Sequence, residues 1–418
     1  MTVKTEATMK TKLTTILLIA GFLCAQSQTW TWSEDELSIA QMGISATVLD
    51  DSIFYSGGRI DDYSTFFNVI DIYDVGMGEW DTYESQSSER WQTMAVSANG
   101  MVFFAGGNNY HATNWHSFAD IDVYNKDDDE WTIENLSVPR SHMGTAALGN
   151  KVFFAGGVKY ESSIYYDTID IYDTETGEWT TGGNLSVPRA FMGSATAGSK
   201  VFFAGGSIGP ANQVTDVVDI YDINTDEWSV EYLSEPRAFI AAVAYEGKVY
   251  FAGGALPNNT SSVIIDIYNV EEEEWEDPET LTEPRIVTAL NVKDALIFTG
   301  VCNYINLSTG SWVIDNGTVE IFYPETGVWD LTVPPLNPAR IFYANAAYDD
   351  KAYYAGGWIY SPNPQGPVNT VNILEYNTNG ISMDKSQKII VQIYPNPITS
   401  TSRLDYNLTP NISHLVIR

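Results

Sequence analysis

Six arginines stand at matching places along the chain: Arg90, Arg140, Arg189, Arg237, Arg285 and Arg340. Five lie 16 residues before the first glycine of a Gly-Gly pair, Arg285 lies 15 before Gly300, and Gln41 holds the same place before Gly57. Guanidinium groups brought together by such a spacing bind carboxylate, sulfate or phosphate bidentately. The alternative chemistry is internal, each arginine tying its own stretch of chain to a neighbouring carboxylate or to loop carbonyls. Aromatic residues gather after the glycine pairs: Tyr63, Tyr110, Trp115, Tyr160, Trp312, Trp358 and Tyr360. Rings of this kind stack on sugars, anchor a protein partner or pack their own loops. His111, His116 and His142 are weak metal candidates, because a metal centre needs several converging ligands and only His111 and His116 share one segment. The chain has no nucleophile elbow, phosphate loop or HExxH helix, so no residue is assigned to catalysis and no cofactor is expected.

These residues are positioned by a repeat. The heptapeptide KVFFAGG occurs at 151–157 and again at 200–206. Gly-Gly pairs stand at 57–58, 106–107, 156–157, 205–206, 253–254 and 356–357, and a worn copy, Thr299-Gly300-Val301, fills the gap. The steps are 49, 50, 49, 48, 47 and 56 residues, a period that marks a repeat architecture. Each copy then carries a Tyr (Tyr73, Tyr124, Tyr172, Tyr221, Tyr268, Tyr323, Tyr376), and all but the last a Trp (Trp80, Trp131, Trp179, Trp228, Trp275, Trp329).

Each unit therefore reads as strands A to D. Strand A is rich in small residues, as in Met192-Gly193-Ser194-Ala195-Thr196-Ala197, and suits a crowded innermost position. Strand B is the VFFAGG type, whose unbroken apolar run implies cover on both faces. Strand C is the DIYD type, and strand D begins at the Trp. Strands A to C are spelled seven times, but the last copy has no Trp. Thr29-Trp30-Thr31-Trp32, ahead of the first strand A, supplies the missing D strand and closes a ring without an open edge.

The order Gly-Gly, Tyr-Asp, Glu-Trp, Pro-Arg resembles the kelch repeat, over roughly residues 28–379. The resemblance implies an all-β fold, a seven-bladed β-propeller closed by the N-terminal strand; a β-sandwich is the alternative, but does not predict the matched landmarks. The sixth unit departs most, lacking the second Gly and carrying Pro324 after its Tyr. In such a meander the D–A and B–C connections emerge on one face and are long and varied, which makes that face the candidate binding face. Some kelch propellers are copper oxidases with a Cys–Tyr cross-link. Here Cys302 lies in the sixth unit and the histidines in the second and third, and no motif of that site is present.

The ends speak to location. Residues 1–27 read as a secretory signal, with Lys10 and Lys12, an apolar run from Leu13 to Cys24, and small residues at Ala25-Gln26-Ser27. That run is short for a membrane span. A lipoprotein anchor at Cys24 is the competing reading, although Gly21-Phe22-Leu23 fits a lipobox poorly. Residues 380–387 read as a linker. Beyond it Tyr394-Pro395-Asn396-Pro397 resembles the opening of the C-terminal sorting domain of the type IX secretion system of Bacteroidetes, with residues 388–418 expected to form part of that domain. Acidic residues outnumber basic ones by 54 to 21, for a formal charge of −33, which repels nucleic acid and anionic membranes. The acidic runs at 127–130 and 271–274 lack calcium-loop spacing and read as solvated hairpin tips.

The expectation is a secreted or outer-surface binding module for a glycan, acidic if the arginines face it, or for a protein partner, with the type IX machinery as a second partner. The alternatives are a carbohydrate-active enzyme (oxidase, lyase or sugar epimerase) and a structural or adhesive surface protein.

Overall fold

The computed structural model describes residues 29–60, 65–84, 87–111, 114–210, 213–258, 260–306, 311–359, 365–377, 391–394 and 403–406. The expected secretory signal (1–27), the linker (380–387) and most of 388–418 lie outside the described residues. Two units are present. Trp30–Tyr376 is the larger, and in the other the strands Val391–Tyr394 and Arg403–Tyr406 pair antiparallel.

The larger unit is a seven-bladed β-propeller. Each blade is an antiparallel meander. Blade three is representative: strand A is Gly144–Leu148, B is Lys151–Ala155, C is Thr168–Asp173 and D is Trp179–Asn184. In blade seven the strands Ala344–Tyr348, Lys351–Ala355 and Gly366–Asn377 are completed by Thr29–Gln41, so the first strand of the chain pairs with the last strand of the ring. Across this seam Trp30 packs on Tyr376 with ring centroids 4.8 Å apart and donates its indole N–H to the Tyr323 hydroxyl of blade six.

The VFFA run is apolar throughout because strand B is buried on both faces. Val152, Phe153, Phe154 and Ala155 are all fully buried. Val152 and Phe154 join a core shared with blade two, and Phe153 and Ala155 one shared with blade four. Alternation along one strand thus welds three blades, each buried phenylalanine contributing about 2–3 kcal/mol of apolar burial.

Strand A is small for the same geometric reason. A Cβ on Gly144 would meet the Phe203 ring at 2.6 Å. The hydroxyls of strand A bridge neighbouring inner strands: Ser194 donates to the Thr145 carbonyl at 2.8 Å, and Thr196 to that of Ala147 at 3.1 Å.

The Tyr and Trp landmarks are cross-strand partners, Tyr172 opposite Trp179 and Tyr221 opposite Trp228. In blade six the landmark shifts by one residue. Phe322, not Tyr323, lies opposite Trp329. Strands B and C of that blade are also long, Ala295–Asn306 and Ser311–Tyr323, where the glycine pair is lost.

Candidate functional site

The arginine is a staple inside six of the seven blades. Arg90, Arg140, Arg189, Arg237, Arg285 and Arg340 are no more than 2% exposed. Arg140 Nη2 donates to Asp170 Oδ2 at 2.9 Å and to the Phe154 carbonyl at 3.1 Å. Arg90 reaches Asp122 at 2.7 Å and Arg189 reaches Asp219 at 2.7 Å; Arg237 pairs with Asp266, and Arg285 with Glu320. In blade seven the acid is replaced, and Arg340 donates to Asn372 Oδ1 at 2.6 Å. Burial pushes the guanidinium groups of Arg90, Arg140, Arg189, Arg237 and Arg340 below their ordinary value, in Arg340 down to about 10. The same carboxylate holds the incoming loop: Asp170 also accepts the Ser137 N–H at 2.9 Å and its hydroxyl at 3.0 Å. A cationic ring open to ligand is therefore not what the six form. Five of them spend their charge on an acid of strand C, and Arg340 is held by Asn372 and backbone carbonyls.

The backbone of that residue serves a second purpose. The second glycine of each pair donates its N–H to the carbonyl of the next blade's arginine: Gly58 to Arg90, Gly107 to Arg140, Gly157 to Arg189, Gly206 to Arg237, Gly254 to Arg285, and Gly357 to Gln41 across the seam. The first glycine of the fourth pair, Gly205, has φ +60° and sits where a Cβ would lie 2.5 Å from the Arg237 carbonyl oxygen. The repeat KVFFAGG is thus a strand wedged between two cores, ending in the contact that joins one blade to the next.

Two residues beyond the arginine the chain turns at the propeller axis. The residues there are Gly43, Gln92, His142, Phe191, Phe239 and Phe342, all with φ between 53° and 70°. A left-handed phenylalanine is costly, about 1–2 kcal/mol each. Backbone bonds between blades hold them: Gly43 N–H to Phe342 C=O at 2.8 Å, Gln92 to Gly43 at 2.8 Å, Phe191 to His142 at 3.0 Å, and Phe239 to Phe191 at 2.9 Å. These six residues border a cavity of about 330 Å³ at the axial mouth, on the D–A/B–C face.

From this mouth an aromatic train runs outward and around. Phe342 meets Trp91 (6.1 Å between centroids), Trp91 stacks near Trp115 (6.0 Å, 19°), Trp115 meets Tyr160 (5.6 Å), Tyr160 meets His142 (5.5 Å), and His142 meets Phe191 (4.2 Å), which packs on Phe239 (4.5 Å). Trp115 and Tyr160 are half-buried, leaving part of each ring open. Arg59, the residue after the blade-one glycine pair, lies 4.1 Å over the Trp91 ring. A Cβ on Gly43 would sit 2.5 Å from that indole, so the glycine makes room for it.

Of the sequence candidates, Trp115, Tyr160 and His142 join this train. Trp358 is half-buried and pairs through its backbone with Ile341, beside the mouth. Gln41 is fully buried. Tyr63, Tyr360 and the side chain of Trp312 lie outside the described residues. His111 and His116 are exposed, and among the described residues no group of three or more His, Cys, Asp or Glu is arranged to hold a metal. Sequence reasoning passed over Arg59, Trp91, Phe191, Phe239 and Phe342. The signal for all but Arg59 was their fixed offset from the arginine.

His142 is a neutral ring in an apolar setting. Burial lowers its pKa from 6.5 to about 3. A base whose folded pKa lies below its unfolded value binds more protons when unfolded. The stability present at neutral pH is therefore lost as pH falls from 6.5 toward 3. At pH 5 the loss is about 1 kcal/mol, reduced for the ring's partial exposure. His142→Phe places at this position the residue that blades four, five and seven already use. It is expected to remove that share of the acid sensitivity, read as a smaller drop in Tm between pH 7 and pH 5 than the wild type shows.

Comparison with known proteins agrees with the repeat. The kelch motif matches residues 139–186 and 188–231. Kelch-like protein 26 of Danio rerio is 27% identical over 160 residues, 37% of this chain and 26% of its own length. Kelch-like protein 36 of Mus musculus is 23% identical over 144 residues, 34% of this chain and 23% of its own length. Alpha-scruin of Limulus polyphemus is 28% identical over 160 residues, 37% of this chain and 17% of its own length. The match spans about a quarter of the first two relatives. Among solved structures, YjhT superposes with a TM-score of 0.52 at 15% identity, covering 71% of this chain and 99% of that one, a likeness of fold alone.

Proposed function

We propose that this kelch propeller is an exported binding module that holds a protein partner on its D–A/B–C face, with an apolar or aromatic side chain of the partner seated at the axial mouth. The observation that carries this reading is the aromatic train. It surrounds a cavity with apolar walls and continues onto loops of blades two and three, where Tyr110, Trp115 and Tyr160 lie half-open and Ile164 is 47% exposed. Large rings meeting a desolvated pocket are where binding energy concentrates. Kelch propellers are typically protein-binding modules, and the kelch-like relatives support that role here. Export rests on the secretory signal and the sorting motif read in the sequence.

A glycan is the second reading, favoured by Trp115, whose half-buried ring is backed by the buried, near-parallel Trp91 and leaves part of its surface for a sugar face. An acidic glycan loses its particular support, because the arginines that suggested it are paired inside the blades.

The test is capture of surface material by immobilised propeller, with the captured fraction treated by protease or by glycosidase. Protease-sensitive binding, weakened tenfold or more by Trp115→Ala and by Tyr160→Ala, supports the protein reading; tenfold corresponds to about 1.4 kcal/mol. Protease-resistant, glycosidase-sensitive binding replaces it with the glycan reading. Binding unaffected by either substitution moves the site off this face.

A further inference from the structure

We propose that blade one binds a monovalent cation of potassium, sodium or ammonium size between Gln41 and Asp71, at the position that an arginine guanidinium occupies in the other six blades. The repeat sets the geometry. In blades two to five and seven the arginine donates to the carbonyl of the strand-B residue 14 places on: Phe104, Phe154, Phe203, Phe251 and Tyr354. It also meets the strand-C residue that pairs with that strand-B residue across the sheet: Asp122, Asp170, Asp219, Asp266 and Asn372. The counterparts in blade one are Tyr55 and Asp71, which pair directly in the sheet.

The Gln41 side chain follows the same path as the arginines. Its Oε1 lies 2.5 Å from where a Cβ of Gly58 would stand, just as the stems of Arg140 and Arg189 pass 3.2 and 3.4 Å from that place at Gly157 and Gly206. Its carbonyl makes the arginine-type bond to the preceding blade, from Gly357. The amide that results is shorter than arginine and uncharged. It is fully buried, and neither Oε1 nor Nε2 has a hydrogen-bond partner among the described residues.

Charge points the same way. Asp71 is 1% exposed and is met by the Ser38 N–H at 3.2 Å and the Thr82 hydroxyl at 2.9 Å, with no basic side chain paired to it among the described residues. The Tyr55 hydroxyl beside it is buried without a partner, and its pKa is raised by burial and then by Tyr353, Tyr73, Asp35 and Asp71. A buried carboxylate without a cation is costly, and so is each orphaned amide atom. One small cation answers the carboxylate and the amide oxygen, using oxygens only: the Gln41 Oε1, the Asp71 carboxylate and the Tyr55 carbonyl. A single carboxylate among neutral oxygens suits a singly charged ion better than calcium, whose sites gather six to eight oxygens with several carboxylates.

The test compares thermal unfolding of the full chain in choline, potassium, sodium and ammonium chlorides at equal ionic strength. A ligand held only by the folded state raises Tm by mass action. The wild type is expected to show a saturable rise with at least one small cation over choline. Gln41→Arg, which supplies the guanidinium covalently, is expected to be several degrees more stable than wild type in choline and to lose the response; Asp71→Asn is expected to lose the response as well. An equal response of all three proteins to every salt overturns the proposal and leaves the position to water. Crystals of the wild type soaked in rubidium give a reading free of any variant. An anomalous peak between Gln41 and Asp71 upholds the site, and none there, in a protein whose melting responds to potassium or ammonium, overturns it.

Discussion

Arg140→Ala is expected to lower the unfolding free energy of the propeller by about 3–5 kcal/mol, the cost of leaving a buried charge without its partner. Arg140 is fully buried and Asp170 is 3% exposed, so neither can turn to solvent when the other is removed. The loss extends beyond the pair. Asp170 also carries Ser137 at the entrance to the blade, and the Arg140 guanidinium holds the Phe154 and Val138 carbonyls. The charge of Arg140 is what matters, so removing both partners as Arg140→Met with Asp170→Leu should cost much less than the sum of the single changes. Urea unfolding of the four proteins, analysed as a double-mutant cycle, measures the coupling. A cost below about 1 kcal/mol for Arg140→Ala would return the arginines to the status of candidate ligand groups.

Gly205→Ala is the second large effect. The residue has φ +60°, its added Cβ would come within 2.5 Å of the Arg237 carbonyl oxygen, and the next residue must still donate to that carbonyl. The carbonyl is backbone of a residue whose own N–H is tied to the Thr215 carbonyl, and the Ile240 side chain stands as close, at 2.4 Å, so the added Cβ cannot be accommodated cheaply. The expected cost is about 3 kcal/mol, combining strain at a left-handed position with a broken contact between blades. Gly247→Ala is the comparison. That glycine has φ +75° but nothing within 4 Å of the added Cβ, so it carries the strain alone, about 1 kcal/mol. If thermal unfolding ranks the two equally, the contact with Arg237 contributes nothing.

The propeller was legible because its landmarks recur in a fixed order and each has a single mechanical reason. VFFA is apolar on consecutive residues because two blades press on it, and Gly-Gly ends it because the next blade's carbonyl leaves no space for a Cβ. The closing strand was legible from the one missing Trp. What the arginines do was not. Their partners, acids of strand C in blades two to six and Asn372 in blade seven, lie about 30 residues downstream, and a single sequence does not distinguish an acid pointing between strands from one marking a strand edge. The aromatic mouth escaped for a related reason. Phe191, Phe239 and Phe342 read as ordinary apolar residues at the start of strand A, and only the left-handed turn at each of them aims the ring at the axis. In blade six the Tyr323 landmark misled by one position because Phe322 takes the place opposite Trp329.

Blades one to six are each made from one continuous run of chain, so each can take shape once its own residues are available. Blade seven cannot. Its outermost strand belongs to the start of the chain, and Trp30 finds Tyr323 across 293 residues. Completing the circle is therefore a meeting of distant parts, slowed by the entropy of so long a loop. In the interval an unfinished circle presents the bare side of Gly366–Asn377, and the first strand of a neighbouring molecule fits there as well as its own. The latch that makes the finished ring durable is also what makes crowded, newly made chains prone to trade strands.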